Sequence, residues 1–490
     1  MLLTDFLVLL PFLILVVAVI AVILLIALRR HYKSTVALSL TSLTFAFISL
    51  PFVFCLLPRQ VTQLLILDQF AFYYLGLIIG SSLFIGLLAV QYFEGYEENR
   101  EEFYLLLLLA TLGSGILVAS DHFAAFFLGL EILSVSLYVM IAYARFRSRR
   151  IEAAIKYLVL AGSTAAFMLF GIALIYASSG TLSFSESSSL LGTEGDSMSL
   201  LLIGWGLLIV GLGFKLALVP FHVWTPDVYQ GAPAPVTAFI ATVSKGGVFA
   251  LALRYFLGVS LYQNRSLWGI LAVIAVASML FGNLLALLQN NIKRILAYSS
   301  IAHLGYLMVA LLASGSLGPK AVAFYLTAYF VTTLSAFGVV TLLSTPDQEF
   351  EQLSDYLGLF QQRPGLTLVM TAALLSLAGI PPTAGLVGKI YIVAAGVGAK
   401  LWLLLIVLVV ASVIAVFYYI RVVITMFRRR DEGSQTLKSL PPSSLTSGVV
   451  LGVLMVLLVG LGLYPTPVFR LIERMMDAFV SSFGMIITGI

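Results

Sequence analysis

The chain has 490 residues, 61% of them hydrophobic and only 10% charged. A soluble domain averages about 25% charged residues, so the surface that water would normally wet must face lipid. The formal net charge of +5 is no sign of a nucleic-acid partner, because most basic residues stand in short loops between apolar runs.

Only helices and closed barrels span a bilayer, and the strand alternation of a barrel is absent. The expected fold class is therefore all-α, a polytopic membrane helix bundle. Cutting the sequence wherever charge, a Pro/Gly/Ser cluster or a polar run interrupts about 20 apolar residues predicts fourteen spans. They lie near 2–28, 35–57, 66–92, 103–119, 122–144, 152–177, 199–224, 234–258, 267–288, 293–313, 319–344, 365–398, 401–427 and 446–466. The first has no basic n-region and is too long for a signal core; Arg29, Arg30 and Lys33 follow it as a stop-transfer flank. The stretch 467–490 is amphipathic and is expected to lie in the interface. No soluble domain fits between the spans.

Loop charges predict the topology. Arg29, Arg30 and Lys33 follow span 1; Arg145, Arg147, Arg149 and Arg150 follow span 5; Lys293 and Arg294 follow span 9; Arg428, Arg429 and Arg430 follow span 13. All follow odd-numbered spans, so all fall on one side, the cytoplasm by the positive-inside rule. Both termini are then expected to face outward. One missed helix would scramble this parity.

Span 12 is too long to be straight. A helix over 365–398 would measure about 51 Å, against a hydrocarbon core of about 30 Å. Gly379-Ile380-Pro381-Pro382-Thr383-Ala384-Gly385 stands in its middle. The two prolines remove two donors and orphan the carbonyls of Leu377 and Ala378, so the helix must break. In span 7, Pro220 frees the carbonyl of Leu216, next to Lys215. Irregular backbone at membrane depth is tolerated only inside protein or beside a wet cavity. Spans 7 and 12 are five helices apart, and an odd offset reverses the second copy in the membrane, the arrangement of inverted repeats.

Four ionisable residues fall inside spans: Glu131, Lys215, Lys245 and Lys389. Each costs at least about 2.5–3.5 kcal/mol at the bilayer centre. They form either mutual salt-bridge glue or a proton relay. Lysines in excess of acids are not explained by pairing, and a buried lysine exchanges its proton readily. Lys156 either joins this file or snorkels to the surface; Lys293 either joins it or anchors the start of span 10; His303 either continues it or is a hydrogen-bonded core histidine. His222 reads as a loop-lining residue, Asp68, Asp121 and His122 as solvated borders. Cys55, the one cysteine, reads as a small core residue and excludes a thiolate-held cluster. The four histidines lack metal-ligand spacing.

The run from Gly213 to Phe239, containing Pro226-Asp227-Val228-Tyr229-Gln230-Gly231-Ala232-Pro233 and followed by Val243-Ser244-Lys245, resembles the antiporter-like membrane subunits of respiratory complex I. Its form is similar to the branch whose mitochondrial counterpart is subunit 2. Phe127-Leu128-Gly129-Leu130-Glu131, Glu152-Ala153-Ala154-Ile155-Lys156-Tyr157 and the run from Lys293 to Gly305 fit the same family, and the resemblance extends from about 60 to 430. It implies inverted repeats in spans 4–8 (residues 103–258) and 9–13 (267–427), preceded by spans 1–3 (1–102) and followed by span 14 with the terminal segment (446–490), and broken helices 7 and 12. It implies that Glu131 pairs with Lys215, that Lys245 links the halves, and that Lys389 is the far-side lysine; Lys156, Lys293 and His303 match motif positions. No cofactor or metal is expected in this chain. NADH, flavin, iron–sulfur clusters and quinone are expected in partner subunits of the complex. The expected neighbours of this chain are the other antiporter-like and small helical subunits of the membrane arm, in a bacterial inner membrane. The alternatives are a subunit of a multi-subunit sodium/proton antiporter, a solitary secondary transporter, or a scaffold that fills the membrane arm.

Overall fold

The computed structural model describes residues 3–94, 96, 99–143, 148–187, 196–259, 264–429 and 444–482. Of the features expected above, Arg145, Arg147, Arg430 and the ends of the chain beyond these limits lie outside the described residues. Thirteen helices among the described residues are long and apolar enough to cross a membrane. They are Leu10–Leu28 (span 1), Tyr32–Leu56 (2), Gln69–Tyr92 (3), Glu101–Ala119 (4), Phe123–Ile141 (5), Arg149–Ser179 (6), Met198–Leu216 (7), Ala234–Gly258 (8), Arg265–Leu287 (9), Ile292–Leu312 (10), Leu317–Leu343 (11), Trp402–Phe427 (13) and Leu445–Leu463 (14). Two half-length helices, Pro364–Ala378 and Ala384–Gly398, together make span 12. A short helix, Leu3–Val8, precedes span 1, and the expected interfacial segment forms the helix Thr466–Ser482. The one sheet among the described residues is a two-residue hairpin, Arg59–Gln60 with Ile66–Leu67, in the loop before span 3.

Enclosure is uneven. Spans 8, 10 and 11 are 94–100% buried over their apolar windows, whereas spans 1, 6 and 14 are only 33% buried. The bundle therefore has a protein-lined axis on which a charge is kept from lipid. Close packing is bought with glycine, as expected where lipid supplies no hydrophobic drive. A Cβ on Gly113 in span 4 would stand 2.7 Å from the Leu133 nitrogen and 2.9 Å from the Gly129 carbonyl in span 5. One on Gly282 in span 9 would stand 2.7 Å from the Ala302 nitrogen and 2.9 Å from the Tyr298 carbonyl in span 10. Subtracting 113 from 282, 129 from 298 and 133 from 302 gives 169 each time, so the contact between spans 4 and 5 recurs between spans 9 and 10.

Both expected breaks are present, and both begin the same way. Span 7 stops at Leu216, with Ala217 in the left-handed region (φ 58°). Leu218 N–H then donates to Gly213 at 2.8 Å and Ala217 N–H to Phe214 at 2.9 Å. Span 12 stops at Ala378, with Gly379 left-handed (φ 84°); Ile380 N–H donates to Leu375 at 2.9 Å and Gly379 N–H to Ser376 at 3.0 Å. This pairing of reversed hydrogen bonds is a Schellman motif. In span 7 it ends the helix before Pro220 is reached, and Val219 N–H is taken by the Ser278 hydroxyl at 3.0 Å. A helix resumes over Trp224–Gly231.

Two expectations about burial fail. Cys55 is exposed, because a short 3-10 turn over Phe54–Leu56 rotates it off the packed face of span 2. Asp68 is buried, not solvated. It caps span 3 through Ala71 N–H at 2.8 Å and accepts two bonds from Arg254 in span 8, at 2.9 and 2.8 Å. A bidentate guanidinium lets a carboxylate leave water.

Candidate functional site

Lys215, 5% exposed, points from the last turn of span 7 towards span 5. Its ammonium donates to the Ser134 hydroxyl at 2.7 Å and lies 5.4 Å from the Tyr157 ring and 5.7 Å from that of Phe214. Glu131 is one turn before Ser134. The ion pairs among the described residues do not include Glu131 with Lys215. The expected direct pairing is thus replaced by a hydroxyl contact, and Glu131 Oε1 is buried without a hydrogen-bond partner. The Ser134 hydroxyl itself donates a hydrogen bond to the Leu130 carbonyl at 2.5 Å.

Lys245 follows a turn of π-helix, Ile240–Ser244, a local widening that often marks functional positions. It is 1% exposed, donates to the Ser300 hydroxyl in span 10 at 2.6 Å and lies 5.3 Å from the Tyr229 ring. Tyr229 also reaches Ser300, at 3.4 Å. One turn on, His303 Nδ1 is 2.7 Å from the Tyr325 hydroxyl and Nε2 is 3.3 Å from that of Tyr419; Tyr419 in turn bonds Ser299. Lys389, beyond the break in span 12, reaches back to the Ala378 carbonyl at 2.9 Å, one of the two acceptors the prolines were expected to orphan. Its stem packs on Gly379, where a Cβ would stand 3.0 Å from Cδ, and its ammonium is 5.1 Å from the Tyr306 ring. His303 and Lys389 are near enough to interact electrostatically.

The other two predicted residues lie on the side of the bundle that carries the basic loops. Lys293, fully buried, donates to the Glu349 carboxylate at 3.1 Å and to the Ala232 carbonyl at 2.6 Å. The other oxygen of Glu349 takes Tyr92 at 2.5 Å and Arg150 at 3.5 Å. Lys156 stands apart from the buried axis: its side chain is 44% exposed and pairs with Glu152 at 2.7 Å and Asp227 at 3.0 Å. Asp227 also takes Arg294 at 2.8 Å. At the opposite end, burial pushes the Asp121 carboxyl above the usual carboxylate range, against the pull of Arg254. His222 holds a turn through its carbonyl, to Thr225 N–H at 2.9 Å.

Lys215, Lys245, His303 and Lys389 are therefore buried inside the bundle, with Glu131 only partly buried, one turn from the Ser134 that Lys215 contacts. The hydroxyl links that surround them are Ser134, Tyr157, Tyr229, Ser300, Ser299, Tyr325 and Tyr419, none singled out in the sequence. Hydroxyls cost little in an apolar run, so only their density, as in Tyr298-Ser299-Ser300, hinted at them. Each link both donates and accepts, which is what handing a proton onward requires. Among the described residues neither Lys245 nor Lys389 has a carboxylate at ion-pair distance; their acceptors are a hydroxyl and a carbonyl. Salt-bridge glue would place acids beside them.

The family described as "NADH:quinone oxidoreductase/Mrp antiporter, TM" matches residues 120–415. The chain is 47% identical over 473 residues to an NADH-quinone oxidoreductase subunit N of Ectopseudomonas mendocina, covering 95% of both chains. Among solved structures it is similar to a chain of respiratory complex I from Thermus thermophilus with bound aureothin, at 34% identity and TM-score 0.81, covering 94% of this chain and 98% of that one. A chain of the archaeal membrane-bound sulfane sulfur reductase matches at 25% identity and TM-score 0.85, covering 97% and 98%. A chain of the Mrp complex of a Dietzia species, at 20% identity and TM-score 0.85 over 99% and 100%, shares the fold.

Proposed function

Since this chain belongs to the NADH:quinone oxidoreductase/Mrp antiporter membrane family, we propose that it is the antiporter-like, proton-translocating membrane subunit of an NADH–quinone oxidoreductase. It is part of a translocase and sits beside other membrane-arm subunits, while NADH, flavin, iron–sulfur clusters and quinone belong to partner subunits of the complex. The membrane is the bacterial inner membrane, with the basic loops in the cytoplasm and both termini in the periplasm. Residues 103–258 and 267–427 are its two inverted repeats.

The relay runs Glu131, Lys215, Lys245, His303, Lys389, with Lys293 beneath it on the cytoplasmic side. Lys156 serves at the cytoplasmic surface. The observation that carries this reading is the pair of axial lysines bound to neutral acceptors, Lys245 on Ser300 and Lys389 on the Ala378 carbonyl. An amine with no fixed counter-ion gives up a proton when a second positive charge approaches. Quinone reduction in the partner subunits shifts charge along the membrane arm and makes or breaks the contact between Glu131 and Lys215. Such a contact at about 4 Å is worth about 4 kcal/mol at an effective dielectric of 20. Moving one proton costs about 2.3 kcal/mol per 100 mV, so one such contact is enough to move a proton against about 170 mV.

The test is proton pumping per quinone reduced in vesicles holding the whole complex. Lys215→Ala should abolish relay through this subunit. Lys215→Arg should fail as well, because Arg keeps its proton at any accessible pH while preserving charge. Pumping by Lys215→Arg equal to that of the parent would make Lys215 a fixed charge and end this reading. The sodium/proton antiporter alternative shares the fold; identity near half to a quinone oxidoreductase subunit favours the first.

A further inference from the structure

Lys215 has two acceptors within reach and uses one. Ser134 and Glu131 are three residues apart on span 5, so their Cβ atoms are about 5–6 Å apart on neighbouring parts of one face. The lysine stem is long enough to serve either by turning its terminal torsions. In the structure the ammonium lies on Ser134, 2.7 Å away. The hydroxyl is fully buried and oriented to receive it, since its proton is committed to the Leu130 carbonyl at 2.5 Å. Glu131 Oε1 is meanwhile buried with no donor, a state that costs more than an exposed carboxylate would. One charge thus has an occupied berth and a vacant one.

The second repeat supports the importance of this position. The offset of 169 set by the glycine contacts carries Glu131 onto Ser300 and Ser134 onto His303. Ser300 is where Lys245 docks, and His303 is the group nearest in kind to a proton carrier beside Lys389. Both halves therefore place a lysine acceptor or a proton-capable group at these two positions of the helix.

We infer that Ser134 is a positioning residue: its hydroxyl holds Lys215 off Glu131, and translocation requires the ammonium to move between the two. The inference rests on the relay reading above. No bond is made or broken except hydrogen bonds; the proton on Lys215 travels with the ammonium. Groups facing the ammonium besides these are Tyr157 from span 6 and Phe214 from its own helix.

The experiment compares Ser134→Thr with Ser134→Val in the assembled complex. Thr and Val share shape and differ by the hydroxyl, so any packing cost of the branched carbon is common to both. Ser134→Thr should keep most of the pumping per quinone reduced, whereas Ser134→Val should lose on the order of tenfold, the scale of one hydrogen bond to a charged group. In a Glu131→Asp background, which should still pump but whose carboxyl is one methylene farther off, the gap between Thr and Val should narrow, because the second berth is harder to reach. If Val pumps like Thr, or if the gap is the same with Asp at 131, the hydroxyl only fills space and the inference falls. Lys215→Ala measured alongside separates the outcomes: if it pumps normally, the relay reading fails first; if it does not pump while Val equals Thr, only the role of Ser134 is lost.

Discussion

Glu349 balances two buried cations, and this makes its removal measurable. Lys293 is fully buried and Arg150 is 2% exposed; the carboxylate between them is 6% exposed. Glu349→Gln keeps shape and a hydrogen-bonding amide but leaves both cations without that counter-charge. Breaking a buried pair in this way costs about 3–5 kcal/mol. A chain of this length melting as one unit has an unfolding entropy of roughly 1 kcal/mol per kelvin, so the melting temperature should fall by about 3–5 °C. Adding Lys293→Met removes one cation and should recover part of the loss, since Arg150 keeps the Pro346 carbonyl at 2.8 Å and Tyr92 at 3.2 Å. The assay is thermal melting of the purified complex, followed by pumping in vesicles. A single variant as stable as the parent, or a double variant less stable than the single, would refute the charge-balance reasoning. Pumping then separates the two readings of Lys293: an anchor leaves the recovered double variant active, a relay member leaves it stable and silent.

Glu131→Gln should cut pumping while the complex still assembles, and Glu131→Asp, one methylene shorter, should retain more; normal pumping by the Gln variant would make Glu131 glue. Asp121 has its carboxyl raised by burial. A raised carboxyl contributes stability at low pH and loses it as pH rises through the folded value. Asp121→Asn should therefore be no less stable than the parent at neutral pH, with its advantage shrinking as pH is lowered, read by melting across that range; an advantage growing towards acid would contradict the shift. Cysteines placed in 29–34 and 289–294 should label only from the cytoplasm, and labelling from the periplasm would overturn the topology. That experiment needs a Cys55→Ala background, since Cys55 is exposed.

The fourteen spans were readable from the sequence, because lipid demands about 20 apolar residues for each crossing and nothing in tertiary packing relaxes that length. The breaks were readable too, because a proline cannot donate wherever it is packed. So was the axial placement of Lys215, Lys245 and Lys389, since an ammonium in lipid costs too much to face outward. What Lys215 and Lys245 touch was decided by the tertiary structure alone. Ser134 and Ser300 come from helices 81 and 55 residues away in the chain, whereas the Ala378 carbonyl that takes Lys389 was already orphaned by the prolines of the same span. Hydroxyls and carbonyls leave no periodic signal, because they are almost as common in lipid-facing helices as in the core. Asp68 was misread for the same reason: its partner Arg254 lies 186 residues on, and a carboxylate at a helix start looks solvated until the guanidinium that buries it is known. Lys156 and Lys293, alike in sequence as cations near span starts, end at 44% and 0% side-chain exposure. Glu349 folds over one of them from the loop after span 11, while the other keeps only surface partners.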